Sequence, residues 1–294
     1  FKLDVSNLNT IKASKNNMIH PKYINVNRIL GAMTFLISFI VYFDTMAPSV
    51  SYWDCGEFIA VSYTLGVPHP PGSPLFLLLG RIASMLPISE DIAFRVNLLS
   101  PLASAFSVLF LYFIIVQLVN HWRGKIETNT DALIAFGAGM VGSLTFAFTD
   151  SHWFNAVEAE VYAFSTFFTA IVVWLALLWS EKADEKGNER YILIIAYMIG
   201  LATGLHLLNL LTIPFVALLI YFKKFKFEWT SFAILVVVTG LVFFFIHNVI
   251  IKGMPKIADA IGVSATARLG VTIFASMVWA ILNHQQVLSL ILTS

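Results

Sequence analysis

The sequence predicts an all-α polytopic membrane protein with about eight spans, and three observations carry that expectation. Of 294 residues, 58% are apolar and 12% charged, and mean hydropathy is +0.81. Soluble domains run about 45–50% apolar and about 25% charged. Apolar runs of the roughly 20 residues that a spanning helix needs recur along the chain. Lys and Arg gather at alternate loops. This composition excludes an ordinary soluble enzyme, a disordered chain and a disulfide scaffold. Net charge is +1, without the basic field that nucleic acid demands, so no nucleic-acid partner is expected. The single cysteine, Cys55, allows neither an internal disulfide nor a Cys-based metal site.

Taken in order, residues 1–27 are polar, carry Lys2, Lys12, Lys15 and Lys22, and lack the apolar core of a signal peptide. They are expected as a cytoplasmic tail, with the membrane domain running from 28 to 294. Spans are expected near 28–47, 93–120, 131–149, 156–180, 229–251 and 269–290. The stretch 191–222 is too long for one span and holds His206 and Asn209 near its middle. Two short helices with a turn near 205–209 fit it, which brings the count to eight. Residues 74–88, interrupted by Gly80 and Arg81, are too short to span and read as an interfacial or re-entrant helix. With the tail inside, thirteen of the 18 Lys and Arg fall on the inner side; Arg81, Arg95, Lys252, Lys256 and Arg268 fall outside. The first outer segment, 48–92, is then long and holds the unusual residues. No internal repeat is visible, which argues against an inverted-repeat transporter. The chain opens at Phe1 and ends in an apolar run, Val287 to Leu292, and is expected to be part of a longer polypeptide.

That outer segment contains Trp53-Asp54-Cys55-Gly56-Glu57-Phe58. On a helix, Asp54 and Glu57 share a face, and two nearby carboxylates resist joint ionisation. One raised pKa would make a general base near neutral pH. An Asp N-cap with Glu three residues on is equally a capping-box pattern. Then comes Val67-Pro68-His69-Pro70-Pro71-Gly72-Ser73-Pro74, whose prolines forbid a helix and stiffen the backbone around His69. It reads as a mount for His69 or as a rigid turn. Arg81 and Arg95 suit bidentate phosphate contact, or snorkel at helix ends. The second outer turn, Asp150 to Tyr162, holds three carboxylates and His152 in a short stretch. On a continuous helix Glu158 and Tyr162 share a face and Glu160 points elsewhere. His206 and Asn209 mark either a site between short helices or a pair of interhelical hydrogen-bonders. Gly137-Ala-Gly139-Met-Val-Gly142 matches a dinucleotide fingerprint but lies inside a span, so helix packing explains it. No His or carboxylate set shows metal-motif spacing, so no metal residues are assigned and the cofactor is unknown. A divalent ion at Asp54 and Glu57 is compatible with carboxylate chemistry and not required.

The two motifs around Asp54 and His69 resemble the transmembrane O-mannosyltransferase-like family abundant in Bacteroidetes, once catalogued as a domain of unknown function. The resemblance covers about residues 28–222. A more distant similarity is to eukaryotic protein O-mannosyltransferases, which carry an adjacent acidic pair and a His-Pro-Pro-Leu motif in the first outer loop. Here Gly72 stands in place of that Leu, and Cys55 and Gly56 separate the acids, so the identity of the base stays open. Both groups resemble the GT-C class of multi-spanning glycosyltransferases, whose first outer loop carries interfacial helices and the catalytic acid.

The resemblance implies an inverting glycosyltransferase in the bacterial cytoplasmic (inner) membrane, with its site facing the periplasm. The donor would be a polyprenyl-phosphate sugar, most simply mannose; the acceptor would be a protein Ser/Thr hydroxyl, or a glycan or lipid. Asp54 and Glu57 are the expected catalytic carboxylates. His69, Arg81 and Arg95 are expected at the donor phosphate and sugar. Glu158, Glu160, Tyr162, His206 and Asn209 are expected at acceptor or sugar. The rivals are a lipid-carrier or solute transporter, which predicts polar residues at mid-membrane, and a non-catalytic subunit of an envelope complex, which predicts that Asp54→Asn is silent.

Overall fold

A computed structural model of the chain describes residues 19–70, 72–253 and 256. The expected span at 269–290 and most of the expected tail lie outside those residues. Among the described residues the molecule is all-helical, with no strand and one isolated bridge, Ile19 to Ile126. Six helical stretches among the described residues are long and apolar enough to cross a membrane. This is a polytopic all-α membrane protein.

Helix α1 (Pro21–Asp44) begins inside the stretch expected as tail. Pro21 occupies the first turn, where its missing N–H costs nothing, and His20 caps the helix by accepting from the Lys22 N–H. After the short helices α2 (Cys55–Thr64), α3 (Pro74–Ser84) and α4 (Ile92–Asn97), the long α5 (Leu99–Arg123) runs back. It packs between α1, α6 (Asn129–Ala147) and α8 (Val161–Lys182). The glycine pattern sits on that seam. A Cβ at Gly139 would lie 2.8 Å from both Tyr112 and Val116, and one at Gly142 would lie 2.7 Å from Ile115. Close helix approach therefore accounts for these two glycines, while Gly137 faces open space.

The expected span at 156–180 corresponds to α8 and starts five residues later. Helix α7 (Asp150–Ala156) ends, four residues run non-helically, and α8 starts at Val161. The stretch 191–222 divides as expected. Helix α9 (Glu189–Thr203) has 15 residues and stops at Gly204; a 3-10 turn (Leu207–Leu211) leads into α10 (Thr212–Lys224). Helix α11 (Trp229–Phe245) and a π-helical turn (Ile246–Ile251) follow.

Antiparallel succession brings residues 45–98, 148–160 and 204–211 to one end of the bundle. Hydrogen bonds fasten them there. The Ala47 N–H donates to Val157 O (2.8 Å), the Leu75 N–H to Gly204 O (2.9 Å), and Ser73 Oγ to Leu205 O (2.9 Å). Beneath them Phe58, Phe76, Leu77, Val96, Phe168 and Leu205 form a buried apolar cluster.

Candidate functional site

Helices α2 and α3 form a hairpin whose contact is very close. A Cβ at Gly80 would stand 2.7 Å from Ser62 Cβ. Leu65, in a left-handed conformation, ends α2, and the Gly66 N–H returns to Val61 O (2.9 Å). The described residues of the connection, 66–70 and 72–73, are non-helical, as Pro68 and Pro70 require. Gly72, at φ +80°, turns the chain so that its N–H reaches His69 O (3.0 Å). With Ser73 and Leu75 anchored on residues 204–205, the connection has little freedom.

Glu57 then holds His69 twice. Oε1 accepts the His69 backbone N–H at 2.7 Å, and Oε2 lies 2.6 Å from Nδ1. The other ring nitrogen, Nε2, faces Asp54 Oδ2 at 3.9 Å. The imidazole packs on Phe58, which packs in turn on Phe76. Asp54, Glu57 and His69 each bring one oxygen or ring nitrogen within 4.8 Å of the others. Asp54 is the N-cap of α2 but makes no side-chain capping bond, so the capping-box geometry is not formed.

The expectation that one carboxyl of this pair has a raised pKa is corrected at Glu57. Hydrogen bonds from the His69 ring and backbone hold the Glu57 carboxyl below its ordinary range. The same contact raises His69 above its usual value. The carboxyl that rises is Glu160. Burial, opposed by the Val161 N–H and reinforced by Asp54 and Glu158, pushes it up to about 7.

Glu158 and Glu160 lie beneath the surface, 3% and 6% exposed. Glu158 Oε2 accepts from Ser51 Oγ at 2.5 Å, while Oε1 has no protein partner. Glu160 Oε1 accepts from Cys55 Sγ at 3.7 Å. Burial, and then these two carboxylates, push the Cys55 thiol far up, so it is a neutral donor and not a nucleophile. The shared helical face expected for Glu158 and Tyr162 does not exist, because residues 157–160 are not helical. Asn97 holds that break open: its Oδ1 accepts the Ala159 N–H (3.1 Å), and its Nδ2 donates to Ala47 O and Ser49 O (2.8 and 2.9 Å). Ser100 Oγ accepts the Glu160 N–H (3.4 Å).

The remaining expected residues fall into two groups. Tyr162 is exposed and its ring lies tilted against His206, with centroids 5.0 Å apart. His206 caps the 3-10 turn, and burial lowers its pKa. Asn209 is buried with its amide fully employed: it donates to Ala202 O and His206 O and accepts from Thr169 Oγ1. That is the hydrogen-bonding role foreseen as its alternative. Arg81 donates to Tyr63 O (2.6 Å) and lies over the Tyr63 ring. Arg95 spends its guanidinium on three carbonyls, Ser84, Ser89 and Glu90. The structure therefore gathers Asp54, Glu57, His69, Glu158 and Glu160 around α2. It uses Asn209 and Arg95 as internal braces.

Sequence reasoning missed Asn97 and Ser51. A fully buried Asn at the head of a long apolar helix is the signal that marks Asn97; nothing distinguishes Ser51 in the sequence.

Comparison with known proteins bears on the same residues. The profile of the protein O-mannosyl-transferase TMEM260 N-terminal domain matches residues 54–229, from Asp54 through α10. A Dictyostelium discoideum protein named protein O-mannosyl-transferase tmem260 is 31% identical over 198 residues, covering 62% of this chain and 22% of the relative. The Mus musculus protein O-mannosyl-transferase TMEM260 is 28% identical over 162 residues, covering 55% of this chain and 21% of the relative. The chain thus spans about a fifth of the length of these curated relatives. No solved structure matches it significantly.

Proposed function

The chain belongs to the family of the protein O-mannosyl-transferase TMEM260 N-terminal domain, and from that premise we propose that it carries the catalytic loop of a GT-C-type membrane glycosyltransferase. It moves mannose from a polyprenyl-phosphate donor to a Ser or Thr hydroxyl at the outer face of a bacterial cytoplasmic membrane. The observation that carries this reading is the cluster of Asp54, Glu57, His69, Glu158 and Glu160 at one end of the helical bundle. A lipid-borne donor keeps its tail in the bilayer and its phosphate at that level.

Asp54 is the most exposed acid of the cluster and takes the proton of the acceptor hydroxyl. The acceptor oxygen bonds to the anomeric carbon while the bond from that carbon to phosphate breaks, with oxocarbenium character between. A single displacement inverts the anomeric centre. The departing phosphate keeps the electron pair and needs positive charge or aimed donors. His69, fixed by Glu57, is the first candidate for that role, and Arg81, which also donates to Tyr63 O, the second; the guanidinium of Arg95 is engaged on three carbonyls. Glu160, poised near neutrality, and Glu158 are the groups for sugar or acceptor hydroxyls below Asp54.

Membranes carrying the protein are incubated with polyprenyl-phosphate radiolabelled mannose and a Ser/Thr-rich peptide. The expected product is labelled peptide that releases its sugar on alkaline β-elimination. Unlabelled peptide, or label stable to alkali, contradicts the proposed acceptor chemistry.

A further inference from the structure

We propose that Tyr52 and Trp53 form the docking platform for the acceptor polypeptide and hold its hydroxyl beside Asp54. Both side chains are 83% exposed, the largest exposure among the described large apolar residues. Exposed aromatics at the ends of spanning helices are ordinary interfacial anchors. Trp122, in the last turn of α5, and Trp229, at the start of α11, fit that description. Tyr52 and Trp53 do not. They lie in the non-helical segment between α1 and α2, well past the end of α1 at Asp44. The backbone at Trp53 is left-handed, with φ 58°. A bulky residue in that region is a genuine outlier; glycine adopts it readily. Contacts on both sides hold the segment. Asn97 Nδ2 donates to Ala47 O and Ser49 O, Ser51 Oγ donates to Glu158, and Asp54 O accepts the Phe58 N–H (2.9 Å). Strain that the surroundings maintain on the residue before an exposed acid points to a side chain positioned for use.

Tyr and Trp offer large, rigid contact area at low conformational-entropy cost, and they dominate the hot spots of protein recognition. Consecutive Cα atoms are about 3.8 Å apart. A chain lying across Trp53 therefore brings a Ser or Thr hydroxyl within reach of Asp54, whose side chain is 58% exposed. Charge selects the occupant. Between Arg28 and Arg81 the sequence holds no Lys or Arg, but it holds Asp44, Asp54 and Glu57. Such a segment repels the anionic headgroups that basic segments attract. It suits a neutral or lysine-bearing polypeptide, whose charge complements it. The identity of the acceptor rests on the transfer reading above.

The test is binding of a fluorescent, lysine-flanked Ser/Thr peptide to the purified full chain in nanodiscs, read by anisotropy with no sugar donor present. The expected result is saturable binding, at least tenfold weaker in Trp53→Gly and Tyr52→Ala and unchanged in Trp122→Ala. Trp53→Gly also relieves the left-handed backbone, so its unfolding temperature should be no lower than that of wild type. In the transfer assay the Trp53 and Tyr52 variants should raise the peptide KM and leave the donor KM as it is. Absence of saturable peptide binding overturns the platform, as does a raised donor KM. So does equal binding by wild type and both variants, the result that a lipid anchor predicts. The transfer reading fails separately: peptide bound through Trp53 but left unlabelled contradicts transfer and leaves the platform standing.

Discussion

Glu160 shows how a residue's role depends on where the helix breaks around it. As a member of a continuous helix it points away from Glu158 and Tyr162. As the N-cap of α8 it is buried against Cys55 within the influence of Asp54. Its carboxyl, raised from 4.5 to about 7, binds a proton more readily in the folded protein than in the unfolded one. The stability this supplies is complete below about pH 4.5 and is lost as pH rises through about 7, on the order of 3 kcal/mol. Glu160→Gln keeps the shape and removes the titration. Thermal unfolding of the two proteins across pH 4–8 should therefore show the wild type losing stability relative to the variant between pH 4.5 and 7; parallel curves contradict the buried, proton-holding Glu160. At this scale Asp54, Glu57 and His69 were legible, because unusual residues in a proline-stiffened outer segment have few structural uses. The partner of each was not. Glu57 serves His69, and Arg95 braces carbonyls, because contacts between distant residues decide both. The alternatives left open for Asn209 included the one observed, since a polar side chain in a short helical turn usually satisfies its neighbours.

At the scale of elements, hydropathy located the long helices well because the lipid-facing apolar run and the helix are nearly the same segment. It did less well at their ends. Helix α1 starts early because His20 and Pro21 make a good N-terminus in polar sequence. The break at 157–160 is set by Asn97 and Ser100, some sixty positions away, and carries no local signal beyond its acids. The α2–α3 hairpin depends on Gly80, which the sequence presents only as an interruption in an apolar run. An added methyl there meets Ser62 and, by overpacking, costs about 1–3 kcal/mol. Gly80→Ala should lower the unfolding temperature and weaken sugar transfer by moving α2, and Ser62→Gly in the same chain should restore both. A Gly80→Ala protein as stable and active as wild type contradicts the close packing that positions Asp54 and Glu57.

For the molecule as a whole, the antiparallel helices bring three sequence-distant segments to one end, where the acids and His69 meet. A transporter is expected to place its polar residues near mid-membrane; the cluster here lies at the head of the bundle, around the short α2. Family membership rests on residues 54–229, which contain all of that cluster. The central claim is that this cluster transfers sugar. It is tested most directly by comparing labelled mannose transfer by wild type, Asp54→Asn and Glu57→Gln at matched folded expression. The account predicts a loss of about 10²–10⁴ for Asp54→Asn, the scale of a missing general base, and a smaller loss for Glu57→Gln, which only loosens His69. Transfer by Asp54→Asn at the wild-type rate would contradict it and remove this loop from the chemistry.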